Sequence, residues 1–242
     1  MTTVENHYET HLAPVYLWMS GGVDAALARG DAEITALLPH LPRGTTAVDL
    51  GAGFGMHAIP LARRGYSVIA LDTSAHLLDE LRRHAAGLPV SAVHDDLLSF
   101  QRHVNSRVGL IMIMGDTLTH LTNQSAVLTL VTRAAESLGP DGRFITTFRD
   151  YTVPLTGAAR FIPVRSDDSR VLTCFLEYGD DHIEVHDLLH ERQGSVWQLK
   201  VSTYRKLRLS PDWLAGVLRD SGFSMQSEAG PSGMVRLIGT RR

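Results

Sequence analysis

The sequence predicts an α/β fold, a doubly wound, mostly parallel seven-stranded sheet with an antiparallel strand near the C-terminus and an inserted antiparallel β meander. Three observations carry this expectation. Short β-type runs alternate with helical patterns through the first 150 residues, the run VGLIMIM is apolar without alternation, and a glycine-rich turn joins the first strand to the first crossover helix.

The expected strands are Thr46–Leu50, Ser67–Leu71, Pro89–Val93, Val108–Met114 and Arg143–Phe148. Unbroken apolarity in Val108–Met114 suits a central parallel strand covered on both faces. Helical spacing over Met56–Arg64, Ser74–Ala86 and Gln124–Leu138 supplies the crossovers, with Ser74 as N-cap and Gly65, Gly87 and Gly139 as stops.

The pattern changes after Asp150. Arg170–Tyr178, His182–Arg192 and Ser195–Leu209 read as three strands of a meander joined by Tyr-Gly-Asp-Asp and Arg-Gln-Gly-Ser turns. Ser210-Pro211 then opens a helix through Asp220, Ser221-Gly222 stops it, and Phe223–Glu228 and Val235–Thr240 close the chain as strands. Four segments follow: a helical lid over 1–45, a core over 46–150, the β insert over 151–209 and completion of the core over 210–242.

Composition narrows the function. A chain of 242 residues, 44 % hydrophobic, buries one large core. A net charge of -3 and no Lys/Arg run longer than a pair give no general attraction to a phosphate backbone, so nucleic acid is not an expected partner. Cys174 is the only cysteine, read as a small packed residue, and it excludes a disulfide framework or thiolate cluster. No stretch has the length and apolarity of a membrane span, and the start MTTVENHYETHLAP lacks the marks of a secretion signal; the cytoplasm is the expected compartment.

The chemistry lies in AVDLGAGFGMHAIPLARRGYSVIALDTS. A strand ends at Asp49, the turn Gly51-Ala52-Gly53-Phe54-Gly55 follows, and a helix begins. Missing Cβ atoms let a ligand lie against such a turn. About twenty residues on, Asp72 ends the next strand, where its carboxylate accepts hydrogen bonds from both hydroxyls of a ribose, as in a nucleoside site. A dinucleotide loop is the rival reading, but it needs G-x-G-x-x-G, and Met56 stands where its last glycine belongs.

An acid followed by G-x-G-x-G, as at Asp49, Gly51, Gly53 and Gly55, resembles the first motif of the class I S-adenosylmethionine-dependent methyltransferases, which have a Rossmann-like fold. The resemblance continues at Asp72 and at His94-Asp95-Asp96-Leu97-Leu98, then through GLIMIMGDTLTHL and the helix-strand-strand ending. It implies S-adenosylmethionine as cofactor and S-adenosylhomocysteine as product. It implies a cofactor site of Asp49, Gly51, Ala52, Gly53, Asp72, Thr73, Asp95, Asp96, Leu97, Met114 and Gly115, with Asp96 favoured over Asp95 against the adenine. The wording of the loop, the GDTLTHL tail and the late insert look closest to small-molecule N-methyltransferases of the glycine, sarcosine and aminosugar type.

In an open α/β sheet the ligand lies beyond the carboxyl ends of the strands, which points the acceptor to Gly115–His120 and Arg149–Tyr151. His120 is the candidate base and Arg149 the candidate partner of an acidic acceptor group. Tyr8, Tyr16 and Trp18 are the aromatic lid candidates, with Tyr16 preferred. No metal is expected: His182, His186 and His190 share a strand face, but residues four apart on a strand are ~13 Å apart. The expected reaction is SN2 transfer to a nitrogen, less favourably an oxygen or sulfur, of a small acceptor. An S-adenosylmethionine-binding sensor or assembly protein without transfer activity is the alternative. The insert is expected to cap the pocket or to form a homodimer interface.

Overall fold

The computed structural model describes residues 3–242. The chain forms two sheets. In the first, β1 (Thr46–Leu50), β2 (Ser67–Asp72), β3 (Val90–His94), β4 (Val108–Ile113) and β5 (Leu138–Phe148) run parallel, and β10 (Phe223–Ala229) and β11 (Val235–Arg241) complete the order β10-β11-β5-β4-β1-β2-β3. β11 is antiparallel to both neighbours, as expected near the C-terminus.

Alternation within the central strands builds two cores. Val48, Leu50, Ile111 and Ile113 face α6 (Gln124–Ser137) and α7 (Pro211–Asp220), while Ala47, Leu110 and Met112 face α3 (Val23–Leu37), α4 (Ala58–Arg63) and α5 (Ala75–His84). The run VGLIMIM is therefore apolar throughout because both of its faces are covered. Helix ends follow the expected chemistry. Ser74 accepts from the Leu77 N–H, Ser210 accepts from the Trp213 N–H, and Gly65, Gly87 and Gly222 adopt positive φ.

Gly139 is a correction. α6 passes directly into β5 at Leu138, whose backbone is already extended, and the left-handed residue is Asp141. β5 thus starts five residues before the expected Arg143, with a register shift against β4 between Val108 and Leu110.

The second sheet, β6-β7-β8-β9, is antiparallel. Its strands β7 (Arg170–Tyr178), β8 (His182–Gln193) and β9 (Val196–Leu207) match the expected meander. Its fourth strand, β6 (Phe161–Ser166), is absent from the sequence reading because Pro163 and solvent-facing residues give an edge strand no apolar alternation.

The N-terminal segment is helical: α1 (Val4–His7), a π-helical turn over Tyr8–Leu12 and α2 (Ala13–Met19) precede α3. The turn is wide because the Ala13 N–H reaches back five residues to the Tyr8 carbonyl, just before Pro14, which has no N–H to give. Leu12 and Val15 pack on Leu172 and Leu189 of the second sheet, and buried His7 lies 3.0 Å from Asp187 Oδ2 and 2.7 Å from Ser202 Oγ. No described helix is long and apolar enough to cross a membrane.

Candidate active site

The strand order reverses between β1 and β4, so the turns that follow these strands diverge and leave a crevice at their carboxyl ends. A cavity of about 640 Å³ occupies this place. One half is walled by the expected cofactor residues Gly51, Ala52, Gly53, Asp72, Thr73, Asp95, Asp96, Leu97, Met114 and Gly115.

Backbone donors orient Asp72. The Gly53 N–H donates to Oδ2 at 2.7 Å and the Ser74 N–H to Oδ1 at 2.8 Å. Burial raises the Asp72 pKa, and these N–H groups act in the opposite direction by favouring the anion. Gly51 has φ +76, and a Cβ there would stand 2.3 Å from Thr117 Cγ2, so only glycine lets the turn close against the loop after β4. Of the two acids after β3, Asp95 is engaged by His103 at 2.8 Å, whereas exposed Asp96 spends only Oδ1, on the Leu98 N–H.

Asp49 departs from expectation. It is 1 % exposed and lies outside the cavity wall, where the Ala58 N–H of α4 favours its anion. Burial pushes it up to about 6, and Oδ2 has no partner.

The other half of the cavity is walled by Tyr8, Tyr16, His120 and Lys206 among others. Tyr8 Oη lies 3.3 Å from His120 Nε2, and the His120 ring stacks on Tyr204 at 5.5 Å between centroids. His120 therefore reaches the expected place, but as a weak base. Burial, then the charge of Lys206, lowers its pKa to about 3, and its buried Nδ1 has no partner. Trp18 lies away from this cavity wall and donates to Asp167 instead.

Arg149 is the second correction. Its guanidinium turns away from the cavity to donate to the Ser232 carbonyl at 2.8 Å, and only its backbone N–H serves the site, at 3.0 Å from Asp116 Oδ1. Two cations that the sequence reading missed line the cavity: Arg205, which pairs with Glu184, and Lys206. The Lys206 Nζ is 2.5 Å from Asp116 Oδ2, which also accepts from the Tyr151 hydroxyl at 2.7 Å. Burial disfavours both charges. Even so, the pairing, with these donors, holds Asp116 below the usual carboxylate range and Lys206 well above the usual ammonium range.

The histidines of β8 each have separate surroundings. His182 lies 2.6 Å from Asp181, and His186 lies 2.8 Å from Glu177 and 2.9 Å from Thr203. Glu177, Glu184 and His186 do come within 4.8 Å of one another, but Arg205 pairs with Glu184 at 3.1 Å.

Comparison with known proteins agrees with this geometry. Residues 47–142 match the family model described as a methyltransferase domain. A glycine/sarcosine N-methyltransferase of Halorhodospira halochloris is 28 % identical over 112 residues, 45 % of this chain and 42 % of that protein. A cypemycin N-terminal methyltransferase of Streptomyces sp is 30 % identical over 135 residues, 54 % of this chain and 52 % of that protein. The similarity thus spans about half of each relative's length. Among solved structures, the CcbJ methyltransferase of Streptomyces caelestis superposes with a TM-score of 0.79 at 21 % identity, covering 98 % of this chain and 99 % of that one. Residues 47–142 are thus similar to a methyltransferase domain, and the chain as a whole has the fold of solved methyltransferases.

Proposed function

We propose that this protein is an enzyme that moves the methyl group of S-adenosylmethionine to a nitrogen of a small-molecule acceptor and releases S-adenosylhomocysteine. One observation carries the reading: Asp72, fixed by two backbone N–H groups, faces a cavity that also contains the glycine turn and the acids after β3. This donor and acceptor set fits an adenosyl group, with Asp72 for the ribose hydroxyls and Asp96 for the adenine edge. The similarity to two glycine/sarcosine N-methyltransferases supports nitrogen over oxygen or sulfur.

When bound, the cofactor supplies an activated methyl on a sulfonium. The chain's own task is to hold the acceptor in line and to exclude water. Tyr8 and Tyr16, brought to the cavity by the π-helical turn and α2, close that space from the N-terminal side. The lone pair of the acceptor nitrogen forms the new N–C bond while sulfur retains the electrons of the S–C bond. Any proton on that nitrogen must leave first, and His120 is poorly suited to take it.

We further infer a cytoplasmic enzyme without nucleic-acid or membrane partners, in keeping with its net charge of -3. Of the expected lid over 1–45, of which residues 1 and 2 lie outside the described residues, the segment before α3 serves as lid while α3 packs into the core; 46–150 and 210–242 serve as core and 151–209 as cap or homodimer element. The test is incubation with methyl-13C-labelled S-adenosylmethionine and a panel of amino acids, amino sugars and peptides. An N-linked 13C-methyl product is expected; cofactor binding without product from any member would favour the sensor reading.

A further inference from the structure

Lys206 presents an unusual arrangement for a site that handles amines. It lines the cavity beside Tyr8, Thr117 and His120, whereas its partner Asp116 does not. The Asp116 carboxylate lies behind the wall, bonded to the Arg149 N–H and the Tyr151 hydroxyl as well as to Lys206. The cavity therefore meets the positive end of the ion pair.

Nothing around Lys206 cancels that charge from the cavity side. Tyr8, Tyr151 and Tyr204 face it as neutral phenols, with pKa values raised first of all by burial, and neutral His120 stands beside them. His7 from α1 and Asp187 from β8 are spent on each other at 3.0 Å. Of the acids that line the cavity, Asp72, Asp95 and Asp96 belong to the cofactor half, and the exposed Glu5 and Asp181 to its outer edge.

We propose that Lys206 is a specificity-determining residue that makes the acceptor half of the cavity select an amine in its unprotonated form. The proposal rests on the methyl-transfer reading above. Glu5 and Asp181 favour approach of an ammonium, and the Lys206 cation disfavours its entry as such, so the proton passes to water and not to a side-chain base. The free lone pair then attacks, and the methylated product, a cation once more, is disfavoured in the same place and leaves. The substrate class is thus an aliphatic amine bound as the free base.

Sinefungin tests this without knowledge of the acceptor, because an amine-bearing carbon replaces its methylsulfonium. S-adenosylhomocysteine, which lacks that amine, is the reference for everything else in the ligand. The ratio of the two affinities is measured by calorimetry at about pH 6.5 and about pH 9. An alkylamine titrates near ~10 in water, and a bound pKa lowered by two units weakens sinefungin relative to the reference about tenfold as pH falls over this range.

The wild type is expected to show that loss, and Lys206→Arg to keep it. In the double variant Asp116→Asn, Lys206→Met, which removes the pair without stranding a buried charge, the ratio is expected to change less than threefold. The double variant Asp116→Asn, Lys206→Gln serves the same purpose if the first does not fold. A flat ratio in the wild type, or an equal slope in the wild type and the charge-free variant, would overturn the proposal. Failure of S-adenosylhomocysteine to bind the wild type would instead overturn the cofactor reading, and this proposal with it.

Discussion

The Gly53 N–H lies 2.7 Å from Asp72 Oδ2, so the side chain that ends β2 grips the turn that follows β1. One carboxylate thereby sets the turn and faces the cavity, where the proposed function has it bind a ribose. Asp72→Ala is expected to weaken S-adenosylhomocysteine binding by roughly 2–3 kcal/mol, the loss of charge-assisted bonds to the ribose hydroxyls. Calorimetry checks this, and an unchanged affinity would assign the ribose to another group.

Gly51→Ala combines a strained backbone with a clash. At φ +76 the new Cβ meets Thr117 at 2.3 Å, whereas Gly65, at φ +88, has nothing within 4 Å. Both substitutions cost the left-handed penalty of about 1–2 kcal/mol, and Gly51→Ala is expected to cost about 1–3 kcal/mol more from overpacking. Urea unfolding of the two variants measures the difference; equal losses would mean that Thr117 moves aside freely.

Asp49 links stability to pH. Its folded pKa, about 6, is raised above the unfolded value by burial, so the folded state binds the proton more tightly. Stability from this group is therefore greatest at low pH, falls as pH rises from about 4 to about 6, and stays reduced above that by at most about 3 kcal/mol. Asp49→Asn is expected to be more stable than the wild type by about 1–3 kcal/mol at pH 7, with the advantage vanishing near pH 4. Denaturation at both pH values decides; an advantage equal at both would mean that ionisation of Asp49 carries no penalty.

His120 gives a kinetic prediction opposite to its first appearance in the sequence. A histidine acting as base contributes about 10²–10⁴-fold. With its pKa near 3, His120→Asn is expected to lower kcat by less than about tenfold and to leave the shape of the pH profile unchanged. A larger loss together with removal of an inflection near neutral pH would restore His120 as the base.

The legible parts of this molecule are those that local backbone chemistry encodes. The covered run from Val108, the capping of α5 by Ser74, the Gly51–Gly55 turn and the acid at Asp72 each carry a requirement visible within a few residues. Lys206 was not legible because its meaning comes from Asp116, 90 residues away and outside the second sheet that holds the lysine. Arg149 has the expected position after β5, but side-chain direction belongs to tertiary packing, and the Ser232 carbonyl, 83 residues on, captures it. β6 escaped notice for a third reason, since an exposed edge strand has no buried face to impose a pattern.

The central claim is that the glycine turn and Asp72 form an S-adenosylmethionine site and not a dinucleotide site. The most direct measurement is calorimetric titration of the wild-type protein with S-adenosylhomocysteine and, separately, with NAD and NADP. Saturable one-site binding of S-adenosylhomocysteine with no heat from either dinucleotide is the expected result, because Met56 occupies the position where a pyrophosphate loop requires glycine. Dinucleotide binding in the absence of S-adenosylhomocysteine binding would contradict the account.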